Sequence, residues 1–261
     1  MPIPKILFQT WKTHDVPDWG TKWFRSWRDI LEPQGWDCRL YSDKDNRDFI
    51  VEHYPWFLKR YDEYEFEIQR VDAVRPFLLY HFGGVYVDLD FECRKDLEPF
   101  LDNDLVLCKS SNSGTLTNCV MMSAPRHPFW NIVINGMIKA PKRQWYDVLK
   151  SLYIFRTTGP TLIHKSYATF QKRLEGLSHT ERKDIEGKVT IVGDPKYFFP
   201  CTMFNKAKCD EPCDACFGVH HHKATWVGAD HAIIAGSVFT LLVGIIVAIV
   251  LFQKKKSLKI N

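Results

Sequence analysis

The sequence has no real excess of either charge. Its 35 Lys and Arg exceed its 31 Asp and Glu by four, and the last nine residues, QKKKSLKIN, supply all four. The rest is neutral, 31 bases against 31 acids, so there is no basic footprint for nucleic acid and none is expected as a partner. There is also no internal repeat and no low-complexity tract, which excludes a fibrous or disordered chain. The opening MPIPKILFQTWK contains no apolar leader, so a secretory signal is not expected either.

What is present is enough for one sizeable core: 261 residues, 45% hydrophobic and 25% charged. Nine Trp, many of them early in the chain, favour a deep core and a ring-bearing ligand. From Ala232 to Phe252 runs AIIAGSVFTLLVGIIVAIVLF, 21 residues without a charge. At about 1.5 Å per residue this spans a bilayer, and we read it as one transmembrane helix with a basic tail at 253–261. Ala232, Gly236, Thr240, Gly244 and Ala248 recur every fourth residue, a spacing that permits self-association of the span. A single span near the C-terminus and no leader suggest a tail anchor with a cytosol-facing body. Four Lys after the span argue the reverse.

Short apolar runs alternate with helical periods. IPKILFQ and WDCRLY read as strands flanking DWGTKWFRSWRDIL, in which Trp19, Trp23, Trp27 and Ile30 mark a core-facing helix. Ser42-Asp43 caps a second helix, which ends before Pro55. EIQRVDAVRPFLLYHF is helical, with Ile68, Val71, Leu78 and Phe82 on one side and Pro76 inside. Gly83-Gly84 then opens a strand, VYVDLDF. LVLC, CVMM and VTIV are further strands, and RHPFWNIVINGMIK a further helix. The order predicts an α/β domain with a largely parallel sheet over residues 1–200. A Cys- and His-rich segment, 201–231, reads as a loop connecting it to the membrane.

On a strand, Tyr86, Asp88 and Asp90 share one face. Two carboxylates converging at the end of a strand repel each other and call for a cation; Mg²⁺ or Mn²⁺ suits hard oxygen ligands. Asp72 and Arg75, three apart on a helix, also share a face. Cys209, Cys213, Cys216 and His220 are spaced C-x3-C-x2-C-x3-H, which can furnish a structural Zn²⁺ site, or the cysteines can form disulfides. Cys38, Cys93, Cys108 and Cys119 read as core residues.

The segments IPKILFQTWK, SWRDILEPQGWDCRLYSDKDNRDFI, HYPWFLKRYD, QRVDAVRPFLLYHFGGVYVDLDFEC, NCVMMSAPRHPF, TGPTLI and HHHKATW lie between residues 3 and 226. In that order they resemble the glycosyltransferase family of the yeast initiating α-1,6-mannosyltransferase and the mannosyl-inositol-phosphoceramide synthases. The resemblance implies a GT-A type, Rossmann-like nucleotide-sugar-binding domain and a retaining transferase dependent on Mn²⁺ or Mg²⁺, although no residue here stands out as a nucleophile. It implies a donor, GDP-mannose before a UDP-sugar, and a lipid or membrane-bound acceptor such as inositol phosphoceramide. By position, Asp90 would ligate the metal and Asp88 act through water or the donor ribose. Asp72 and Arg75 would contact the sugar. Gln9, Thr10, Trp11 and Tyr86 would line the donor pocket, with Thr225 and Trp226 against the diphosphate. His220 or His221, better matched than His222, would complete the metal's coordination.

Two other readings remain in view. A phosphohydrolase with a D-x-D nucleophile strand is disfavoured because Glu92 stands where such motifs carry Thr or Val. A non-catalytic, membrane-tethered zinc or scaffold module leaves GGVYVDLD unexplained. Trp226 is only six residues from Ala232, which puts the expected active-site edge close to lipid.

Overall fold

Six of the strands form one sheet in the computed structural model, which describes residues 2–111 and 114–223. In chain order the first half comprises β1 (Ile6–Thr10), α1 (Asp18–Leu31), β2 (Asp37–Tyr41), α2 (Asp43–His53), α3 (Pro55–Asp62), α4 (Glu67–Phe82), β3 (Gly84–Val87) and β4 (Phe91–Cys93). The second half comprises β5 (Leu105–Lys109), β6 (Leu116–Ser123), α5 (Phe129–Lys139), α6 (Lys150–Thr157), α7 (Pro160–Glu175), α8 (His179–Glu186), β7 (Val189–Val192) and β8 (Gly218–His220). Met1–Lys142 and Ile154–Lys223 make one compact unit, and Arg143–Tyr153 falls outside it.

The sheet order is β2-β1-β3-β6-β5-β7. β1 runs parallel to β2 and β3, and β5 parallel to β7, but β6 is antiparallel to both its neighbours. The expected parallel sheet is therefore parallel-rich and mixed. The connection from β5 back to β6 is too short for a crossover, so those two strands must pair as a hairpin.

Both faces of the sheet are covered, and side chains alternate between two cores as strand geometry requires. Tyr86 and Met121 join the core containing Phe77, Leu78, Phe129 and Trp130. Val85, Val87, Val120 and Met122 join the one containing Trp27, Leu31 and Phe198. Ser42 caps α2 as expected: its hydroxyl accepts the Asp45 N–H while the Asp45 carboxylate accepts the Ser42 N–H. Gly83 and Gly84 have φ of +70° and +94°, and a Cβ on Gly84 would come 2.5 Å from the Ile6 carbonyl oxygen. Only glycine allows α4 to turn into β3 so close to β1.

Three expectations need correction. α4 carries Pro76 inside it as expected, but its middle, Asp72 to Leu79, is buried all round instead of along one stripe. Of the Trp stripe on α1, only Trp27 is fully buried; Trp19 and Trp23 stay partly exposed. The segment after Pro200 is not a simple loop. Two disulfides cross it, Cys201–Cys209 and Cys213–Cys216, and β8 pairs with β4 in a second, two-stranded sheet. Among the described residues no helix is long and apolar enough to cross a membrane. The run Ala232–Phe252, the basic tail, Thr225 and Trp226 lie outside the described residues.

Candidate active site

The run VYVDLDF is two strands and a turn. β3 ends at Val87, the Asp88 N–H donates to the Cys119 carbonyl (2.9 Å), and the Phe91 N–H closes back on the Asp88 carbonyl (3.1 Å). β4 then leaves the main sheet and pairs with β8, Phe91 opposite His220. Asp88 and Asp90 thus sit on the turn between two sheets, and strand alternation is not what brings them together.

Pairing with β8 delivers the C-terminal segment to Asp90. Asp90 Oδ1 is 3.3 Å from His220 Nε2, and Asp90 Oδ2 accepts the Lys223 N–H at 2.7 Å. Burial works against charge on Asp90, but His220 and that N–H prevail and hold its carboxyl well below the usual range. In return, Asp90 holds the His220 imidazole above its ordinary value, against the effect of burial.

Asp88 is held from the opposite side. Arg75 reaches its Oδ1 at 3.0 Å and Asp72 Oδ1 at 3.1 Å, and donates to the Asn118 carbonyl at 2.9 Å. Asp72 is further held by Asn118 Nδ2 (2.9 Å) and the Thr158 hydroxyl (3.3 Å). The Tyr86 hydroxyl donates to Asp88 at 3.0 Å, which leaves Thr10 as donor to Tyr86 across another 3.0 Å. Burial, opposed by Arg75 and reinforced by Asp90, raises the Asp88 carboxyl. Burial also raises Asp72, against Arg75 and its two hydrogen bonds. The two aspartates of the turn are therefore pushed apart in acidity, Asp90 being the more acidic.

Several residues expected around the donor are in the interior. Gln9 is fully buried, accepting from Arg28 at 3.2 Å; Thr10 and Tyr86 form the buried relay just described. Trp11 alone of these four presents surface, its ring edge-on to Trp19 at 5.4 Å. Trp19 is 5.8 Å from Trp23, and Trp23 stacks on His221 at 4.2 Å. These partly exposed rings form a wall beside Lys223, whose amine lies 5.8 Å from both Trp19 and Trp23.

The three histidines separate. His220 meets the aspartates, whereas His221 turns to Glu92 (2.8 Å) and His222 to the Cys201 carbonyl (3.4 Å). Burial pushes His222 down to about 4. His221 is therefore not brought to the aspartates as a metal ligand. The proposed zinc set of Cys209, Cys213, Cys216 and His220 is likewise overturned: the three sulfurs are committed to disulfides, one of them through Cys201, and cannot serve as thiolates.

A different cluster forms. Ligand atoms of Asp88, Cys119 and His220 lie within 4.8 Å of one another, with Asp90 Oδ1 beside the imidazole. Two carboxylates and an imidazole, with one carboxyl already held ionised, fit Mn²⁺ or Mg²⁺. Cys119, Asn118, Thr158 and Glu92 were not singled out from the sequence. Asn118 and Thr158 are the first residues of the glycosyltransferase-like segments NCVMM and TGPTLI, the one available hint. A cleft of about 420 Å³ lined by Asp43, Arg47, Tyr61, Glu67 and Arg70 includes none of these residues.

Residues 10–107, which contain both aspartates of the turn, Asp72 and Arg75, match the family described as a glycosyltransferase sugar-binding region containing a DXD motif. That stretch is similar to the sugar-binding region of DXD glycosyltransferases. Inositol phosphoceramide mannosyltransferase 2 of Schizosaccharomyces pombe is 38% identical over 172 residues, 66% of this chain and 48% of that protein. A mannosyl phosphorylinositol ceramide synthase of Saccharomyces cerevisiae is 39% identical over 170 residues, 65% of this chain and 44% of that one. The chain spans about half the length of these relatives. An uncharacterized glycosyltransferase of Acanthamoeba polyphaga mimivirus is 25% identical over 230 residues, 86% of this chain and 84% of that protein. In this chain the DXD region is completed from outside its own limits, by Asn118, Thr158, His220 and Lys223.

Proposed function

We propose that this chain is a GT-A type, metal-dependent hexosyltransferase. It would take mannose from GDP-mannose and pass it to a membrane-borne acceptor of the inositol-phosphoceramide kind. The observation that carries this is the Asp88–Asp90 turn, clamped by Arg75 on one side and by His220 and the Lys223 N–H on the other, within a DXD region. Asp90, Asp88 and His220 would hold Mn²⁺ or Mg²⁺, which when bound supplies Lewis-acid stabilisation of a departing nucleoside diphosphate. Arg75 keeps Asp88 in place and offsets the repulsion between the carboxylates. The Trp11–Trp19–Trp23 wall offers aromatic faces to a nucleotide base. Asp72, fixed by three partners, is set to accept hydrogen bonds from a sugar.

The relatives named for mannosyl transfer to inositol phosphoceramide support mannose as the sugar and that lipid as the acceptor. Lys223, whose N–H reaches Asp90, is nine residues before Ala232 in the sequence, where the uncharged run begins. Disulfides persist in oxidising compartments, and the positive-inside rule keeps the Lys tail cytosolic. Both favour a lumenal body, reversing the cytosol-facing expectation.

The test is transfer from a panel of nucleotide sugars by the full chain in vesicles carrying inositol phosphoceramide, with Mn²⁺. Donor-specific release of nucleoside diphosphate with a mannosylated lipid product, lost in Asp90→Asn, is the expected result. Hydrolysis of phosphomonoesters without donor preference, or transfer that survives Asp90→Asn, would reject it.

A further inference from the structure

The segment outside the main unit carries a feature that sugar transfer does not use. Gln144 to Asp147 is a closed turn: the Asp147 N–H donates to the Gln144 carbonyl at 2.9 Å, and the Asp147 carboxylate accepts the Gln144 N–H at 2.9 Å. The Arg143 guanidinium braces it through the Asp147 carbonyl at 3.1 and 3.2 Å. The two central residues are Trp145 and Tyr146, 92% and 61% exposed, with rings packed edge-on at 5.6 Å. Val148 and Leu152 follow at 59% and 57% exposed.

A hydrogen-bonded turn that holds two aromatic rings in water has a shape that needs a partner. Its chemistry is specific. KAPKRQWYDVLK, residues 139–150, holds four bases and one acid, whereas the rest of the chain before the tail holds 27 bases against 30 acids. Trp and Tyr flanked by Lys and Arg are the residues that settle at the headgroup level of a bilayer, rings among the upper acyl carbons and charges on the phosphates. The same chain carries the uncharged run Ala232–Phe252, so a bilayer is within reach.

We infer that the Trp145–Tyr146 turn is an interfacial membrane contact, seated on an anionic lipid surface. Its role is independent of the reading of the DXD site.

The full chain, carrying an NBD label at Trp145→Cys in a Cys38→Ser background, is reconstituted in vesicles of phosphatidylcholine or of phosphatidylcholine with 30% phosphatidylinositol. The other free thiols, Cys93, Cys108 and Cys119, are buried. A label at Trp56→Cys, 60% exposed on α3, is the reference. The label at 145 is expected to shift to the blue and to be quenched several-fold more by shallow spin-labelled lipid than the label at 56, and more so with phosphatidylinositol. Water-like emission at 145, or equal quenching at both positions, would overturn the inference. Insertion indifferent to phosphatidylinositol would remove the basic residues' role and overturn the anionic assignment. A blue shift in lipid-free detergent that grows with protein concentration would assign the turn to a second copy instead. None of these readouts needs a sugar donor, so this inference and the transferase reading fail separately.

Discussion

Replacing Arg75 with Met tests how the site is held together. The guanidinium is 96% shielded and lies about 3 Å from Asp72 and from Asp88, with a third bond to the Asn118 carbonyl. Its loss leaves Asp72, 6% exposed, as an unpaired buried carboxylate, and breaking such a pair costs about 3–5 kcal/mol. Asp88, a quarter exposed, adds less because solvent screens it. Asp72 keeps its bonds from Asn118 and Thr158, which puts the expected loss near the lower end, about 3 kcal/mol. At about 2–4 °C per kcal/mol for a domain of this size, the Tm of the full chain in detergent should fall by roughly 10 °C. Adding Asp72→Asn removes the orphaned charge and should recover at least half of that loss. Mn²⁺ should raise the Tm of Arg75→Met more than that of the unmodified chain, since the ion replaces the missing counter-charge on Asp88. A variant that melts within 2 °C of the parent, or a double variant no better than the single one, would refute the clamp.

Three further outcomes follow from the same geometry. His220→Ala should weaken Mn²⁺ binding in calorimetry at least tenfold, whereas His221→Ala, which loses only Glu92 and the Trp23 stack, should change it less than threefold; equal effects would contradict the separation of the histidines. The Cys201 and Cys209 sulfurs lie 3.4 and 3.7 Å from the His220 carbonyl, so Cys201→Ser with Cys209→Ser should lower Mn²⁺ affinity, and Cys213→Ser with Cys216→Ser should do so less; the opposite ranking would show that this bridge does not place His220. Burial pushes His127 down to about 4, only partly opposed by Asp104, so below pH 6.5 the unfolded chain binds a proton that the folded one does not. That contribution is complete above 6.5 and lost as pH falls toward 4, up to about 3 kcal/mol, and His127→Gln should flatten the pH dependence of Tm over this window; an unchanged slope would rule it out.

Much of the fold was legible because the signals are local. The Ser42 cap, the Gly83-Gly84 turn and the apolar runs of β5, β6 and β7 depend on neighbours within a few residues, and all are found. α7, which the sequence reading does not include, starts at Pro160 in the first helical turn, where its missing N–H costs nothing. The Trp stripe misled because hydrophobic period reports a face without saying what covers it; before Trp27, at Trp19 and Trp23, that face borders the candidate site instead of the core.

The sequence by itself determined that two acids would follow the strand opened by Gly83-Gly84, that Arg75 would lie one helical turn from Asp72, and that the chain carries a D-x-D motif. Only the tertiary structure decided that the strand breaks at Asp88, that His220 and not His221 meets Asp90, and that Cys209, Cys213 and Cys216 are spent on disulfides. The reason is distance along the chain: the Lys223 N–H reaches Asp90 across 133 residues, and the Asn118 amide reaches Asp72 across 46. Periodicity and turn chemistry act over one or two turns of helix or a few residues of strand, whereas contacts of that span exist only once β4 has paired with β8 and β3 with β6.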